Sequence, residues 1–89
     1  MQLMDYTPSL GDVLHTTTEI ASITAKTYSG FFFVSYIGQT GFTLTHLETG
    51  HTFPCSKQSP IGGNFTLEAH HPGITTLEDL RYLCPEYFI

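Results

Sequence analysis

The sequence predicts an α+β fold: an amphipathic N-terminal helix packed on a three- to four-stranded antiparallel sheet, closed by a short C-terminal helix. Three observations predict it. Residues 30–55 read as three β-type runs separated by two glycine-bearing turns. Residues 10–28 place apolar side chains at three- and four-residue steps. Thr75-Thr-Leu-Glu78 has capping-box spacing ahead of an apolar run that Pro85 stops.

The N-terminal helix is expected to start at Ser9-Leu-Gly-Asp12, which again has capping-box spacing. It carries Leu10, Val13, Leu14, Thr17, Ile20, Ala21, Thr24 and Tyr28 on one side and ends at Ser29-Gly30. The β-branched clusters Thr16-Thr17-Thr18 and Ile23-Thr24 lower helix propensity. They support the alternative, an all-β small barrel with residues 12–28 as strands.

The meander has an expected register. A loop over Gly38–Gly41 sets Ile37 opposite Phe42, Ser35 opposite Leu44 and Phe33 opposite His46. A turn at Thr49-Gly50 sets Glu48 opposite His51, His46 opposite Phe53 and Leu44 opposite Cys55. One face then carries Phe31, Phe33, Ile37, Phe42, Leu44, Phe53 and Cys55, and the helix should cover it. The other carries a stripe of Phe32, Val34, Tyr36 and Leu47 with a threonine border, apolar enough to demand a cover. Ser56 to Gly63 reads as a loop. Asn64–Ala69 alternates as a fourth strand with Phe65, Leu67 and Ala69 inward. His70-His71-Pro72-Gly73 breaks it, and the helix through Cys84 follows.

The chain has 89 residues, which form one domain over 1–89. Only 12% of residues are charged, so seven Phe and five Tyr carry much of the burial. Three cations (Lys26, Lys57 and Arg81) against eight acidic residues give a formal charge of −5. Phosphate neutralisation needs clustered Lys and Arg, so direct binding of nucleic acid is not expected. The charge reads first as what keeps a small protein soluble, and only second as suited to a partner with a basic surface. The start, Met1-Gln-Leu-Met-Asp5, has no basic region before an apolar run, and no run reaches membrane length. A cytoplasmic setting follows, in which Cys55 and Cys84 are free buried thiols.

His46, His51 and Cys55 are the candidate metal ligands. Their H-x4-H-x3-C spacing lacks the C-x2-C knuckle of structural zinc sites, so no metal and no cofactor is assigned. Cys55 falls on an inward face and Cys84 on the apolar side of the short helix, where buried cysteines are inert. No G-x-S-x-G elbow or glycine-rich phosphate loop occurs, and Glu78 and Asp79 belong to a helix start. No enzyme activity is expected.

The function expected is that of a non-catalytic protein-binding module. A small acidic inhibitor or accessory protein, of the type carried by phages and mobile elements and blocking a host protein surface, fits by analogy of size and style. The expected partner-binding residues are Phe32, Val34, Tyr36 and Leu47, with Tyr87 and Phe88 of the Tyr87-Phe88-Ile89 tail as a second surface. The alternatives are a structural homo-oligomer that buries the stripe between identical subunits, and a small zinc-binding domain.

Overall fold

The β-branched density of residues 12–28 prevails over their helical spacing. In the computed structural model, which describes residues 1–56, 58 and 61–88, there is no N-terminal helix packed on the sheet. Instead β1 (Asp12–Ala21) and β2 (Thr27–Ile37) form an antiparallel hairpin. Then come β3 (Gly41–His46), β4 (Thr52–Ser56) and β5 (Thr66–His70), in spatial order β4-β3-β2-β1-β5. One short helix, α1 (Leu77–Leu83), follows, and 3-10 turns lie at Leu3–Asp5 and Pro85–Phe88. The fold is therefore a five-stranded open antiparallel sheet. The strand alternative for residues 12–28 describes it better than the helix, although the sheet keeps two edges and does not close into a barrel.

The helical pattern misled because the sheet is covered on both faces. Val13 and Leu14 are both fully buried, one on each side, so the period of two that marks a half-buried strand is absent. A register shift between Thr16 and Ile20 disrupts it further. There the buried Thr16 hydroxyl donates to the Asn64 carbonyl (2.7 Å) and accepts from the Thr18 amide (3.0 Å). Ser9–Asp12 is a β-turn rather than a helix cap. The Asp12 amide bonds the Ser9 carbonyl (3.1 Å) and Gly11 takes φ +93°, as the third position of a type II turn requires.

Bulges also explain the corrected faces. The pair Ile37–Phe42 forms as expected, but Val34, not Ser35, opposes Leu44, and Phe32 opposes His46. Ser35 is the extra residue. Its hydroxyl donates to the Thr43 carbonyl (3.3 Å) and accepts from Thr45 (2.8 Å). A one-residue slip exchanges the faces. Phe32 and Val34 consequently join Phe42, Leu44, Phe53 and Cys55 on the first face, while Phe33 lies on the second with Leu47 and Val13. In the second hairpin Leu44 opposes Phe53 and Phe42 opposes Cys55; this two-residue shift keeps the faces as expected. In β5 a shift at Glu68 leaves Leu67 exposed, while Phe65 is buried on the first face.

Each face has its own cover. Leu3 and Tyr6 of the N-terminal segment and Phe65 close the first, where Phe32 packs against both Phe53 and Phe65 (5.8 and 5.7 Å between ring centroids). On the second face, Ile74, Leu80 and Cys84 cover Val13, Phe33 and Leu47. The N-cap of α1 is Thr76, which accepts from the Asp79 amide (3.1 Å), one residue later than the spacing suggested. In the loop expected over Ser56–Gly63, Lys57, Ser59 and Pro60 lie outside the described residues, as does Ile89 of the tail. Among the described residues no helix is long and apolar enough to cross a membrane.

Candidate functional site

The structure divides the expected stripe. Phe32 and Val34 are core residues of the first face, Leu47 of the second, and each is at most 2% exposed. Tyr36 lies past the Ser35 bulge, pairs with Thr43 and is 63% exposed. These four residues therefore present no common surface. Leu47 instead meets Tyr87 and Phe88, which were expected to form a separate surface.

These three residues line a recess of about 530 Å3 at the end of the sheet where β2 meets the β3–β4 turn. Ser29, Gly30 and Phe31 supply one wall, His46 to Glu48 another, and Arg81 of α1 with Glu86, Tyr87 and Phe88 the third. The Phe31 and Tyr87 rings lie 5.3 Å apart, tilted by 58°. The Arg81 guanidinium carbon stands 4.9 Å from the centre of the Phe88 ring. Gly30 takes φ +97°, a left-handed conformation that bends β2 beside the recess. Glu48 and Glu86 are exposed, and among the described residues neither forms an ion pair.

Local chemistry explains why these groups stand where they do. His46 is buried, with Nε2 donating to the Ser29 carbonyl (2.7 Å) and Nδ1 sharing a hydrogen bond with the Thr49 hydroxyl (2.9 Å). It thereby pins the β3–β4 turn, and Glu48 with it, to the start of β2. Pro85 stops α1, and the following 3-10 turn folds Tyr87 and Phe88 back onto the second face. Burial, then the neighbouring Cys84, Glu86 and Glu68, pushes the Tyr87 hydroxyl above its ordinary range.

The candidate metal ligands do not converge. Both His46 nitrogens are engaged, His51 stacks on Tyr28 (4.8 Å, 8°), and Cys55 lies in the first-face core. Among the described residues no group of three or more His, Cys, Asp or Glu stands where it could hold a metal ion. Cys55 and Cys84 are free and buried, and burial pushes the Cys55 thiol up to about 12. Burial first, then Glu86, raises Cys84 as well, although its sulfur lies 3.8 Å from His71 Nδ1. In both, the shift disfavours the nucleophilic thiolate.

Two further features were not foreseen. The Asp12 carboxylate accepts from His70 Nδ1 (2.6 Å) and from the Tyr6 hydroxyl, joining the N-terminal segment, β1 and β5. A second cleft, of about 450 Å3, lies between the N-terminal segment and the β2–β3 turn and is lined by Leu3, Met4, Ile37 and Phe42 among others, with no charged residue among its described lining. Sequence reasoning also missed Phe31, assigned to the core face, and Glu48, Glu86 and Arg81 of the recess. For the two glutamates the one signal was the acidity of the chain, which does not say where acids gather; Phe31 and Arg81 carried none.

Comparison with protein-family models, with curated proteins and with solved structures finds no match to this chain.

Proposed function

We propose that this chain is a non-catalytic protein-binding module that holds its partner at the recess between the β3–β4 turn and the C-terminal 3-10 turn. One observation carries the reading: Phe31, Tyr87 and Phe88 wall a recess that also holds two carboxylates without ion-pair partners among the described residues. Aromatic rings beside a groove supply contact area at small entropic cost, and charges around it select the partner. The small inhibitor or accessory protein of phage type is the biological form of this reading, resting on analogy. A reducing, cytoplasmic setting goes with it, supported by two buried free thiols.

The test is affinity capture from an extract of the cells that make the protein. The wild type is compared with a variant carrying Glu48→Lys and Glu86→Lys, two exposed substitutions. A partner retained by the wild type and lost by the variant, at unchanged melting temperature, supports the reading. Equal capture by both sinks it.

A second reading, the structural homo-oligomer, is favoured by Ile23. Ile23 is 104% exposed at the tip of the β1–β2 hairpin, and the cleft with no charged residue among its described lining lies by Ile37 at the other end of β2. Sedimentation over a range of concentrations tests it, with Ile23→Asp expected to abolish any association found.

A further inference from the structure

We infer that the recess binds a cationic side chain, a guanidinium or ammonium group presented by the partner, which Glu48 and Glu86 attract and the rings of Phe31, Tyr87 and Phe88 hold. This rests on the protein-binding reading above and adds the chemistry of the ligand. The faces of aromatic rings carry negative partial charge and attract cations, most strongly where water is displaced. The recess provides such rings next to two carboxylates that no cation neutralises among the described residues. An anionic ligand would meet both carboxylates and the ring faces with Arg81 alone in its favour. A purely apolar ligand would leave the carboxylates partly desolvated and unpaired.

The molecule also contains its own example of the contact. The Arg81 guanidinium stands 4.9 Å from the centre of the Phe88 ring and, among the described residues, makes no ion pair, so a ring of this recess already faces a guanidinium. Arg81 is exposed and belongs to the short helix α1, and it can swing away when a second cation arrives. The chain's formal charge of −5 draws such a ligand in from a distance. The other cleft has no charged residue among its described lining and makes no comparable choice.

The experiment is a two-dimensional amide NMR titration of the whole chain with N-acetyl-arginine methylamide, repeated with the citrulline analogue, which keeps the shape and loses the charge. Saturable shifts at Gly30, Phe31, Glu48, Tyr87 and Phe88 are expected, with a dissociation constant on the order of millimolar for so small a probe. Citrulline should bind about tenfold more weakly or not at all. The double variant Glu48→Gln, Glu86→Gln should weaken arginine binding by about three- to tenfold, and added salt should weaken it too. Arg81→Gln should strengthen binding by about two- to fivefold, because it frees the face of Phe88.

Equal shifts with citrulline, or none with arginine at 50-fold above about 1 mM, would overturn the inference. So would an Arg81→Gln variant that binds more weakly than the wild type. The two readings fail separately. Loss of partner capture in the Glu48→Lys, Glu86→Lys variant without any arginine binding leaves the module standing with another ligand. Arginine binding with unchanged capture refutes the module at this recess and keeps the cation site.

Discussion

The carboxylate of Asp12 lies 2.6 Å from Nδ1 of His70, across the pairing of β1 with β5, and its side chain is only 5% exposed while that of His70 is 43% exposed. The Tyr6 hydroxyl donates to its second oxygen, so a nearly covered acid is satisfied from two other segments. Asp12→Ala leaves both donors without their acceptor and is expected to lower unfolding free energy by about 2–3 kcal/mol. His70→Ala, at the wetter end of the contact, should cost about 1 kcal/mol. Urea denaturation checks both; a loss below about 0.5 kcal/mol for Asp12→Ala would show that the contact contributes little.

Phe32 and Tyr36 differ widely in exposure, 1% against 63%. Phe32→Ala removes the ring against which Phe53 and Phe65 pack and should cost about 3–5 kcal/mol. Tyr36→Ala should stay within about 0.5 kcal/mol of the wild type. Comparable losses for the two in chemical denaturation would contradict the placement of the Ser35 bulge.

Gly41 begins β3 with its α-carbon against β4. A β-carbon there would sit 2.1 Å from the Cys55 carbonyl oxygen, a backbone atom that cannot rotate away. Gly41→Ala is expected to part β3 from β4 at that end and to cost about 2 kcal/mol or more. Hydrogen exchange should quicken at Phe42 and Ser56; unchanged protection there would refute the close approach.

Ala25 adopts φ 66° in the β1–β2 turn, where the Ser22 amide bonds the Lys26 carbonyl (2.8 Å) and the Ala25 amide bonds that of Ser22 (3.0 Å). The left-handed region costs a residue with a β-carbon about 1 kcal/mol, and glycine escapes that cost. Glycine's freer unfolded state offsets part of the gain, so Ala25→Gly should stabilise by at most about 1 kcal/mol. A clear drop in melting temperature would contradict the turn geometry.

Alkaline pH should unfold the protein early. Burial raises Cys55 from 9.0 to about 12, and Tyr6 rises through burial, then through its bond to Asp12 and that residue's charge. In each case the unfolded chain loses its proton first, so stability is complete below pH 9 and falls as pH climbs towards 12. The slope approaches about 1.4 kcal/mol per pH unit for each group fully involved. Cys55→Ala is expected to begin less stable at neutral pH but to fall less steeply above pH 9; identical slopes in denaturant melts at several pH values would remove Cys55 as the cause.

The meander was legible because its turns announce themselves. Gly38 and Gly41 bracket the first and set Ile37 against Phe42; Gly50 marks the second. Ser35 carried no such mark, since an inserted serine reads the same in a regular strand, yet it determines which phenylalanines share a face. Residues 12–28 were misread because a strand buried on both sides loses its alternation, leaving helical spacing by coincidence. Tyr87 and Phe88 read as a separate binding surface, whereas they dock on the second face of the sheet. Their meeting with Phe31 and Glu48 is a tertiary event that no local spacing encodes.

The two covers have different histories on the ribosome. Pairings β1–β2, β2–β3 and β3–β4 join neighbours in the chain, and the N-terminal segment is already made when they form. The helix that shields Val13, Phe33 and Leu47 emerges after every strand. A nascent chain that paired its strands in that order would hold a nearly complete sheet with one greasy side wet, and there chaperone capture or sticking to a neighbour would compete with the arrival of Leu80.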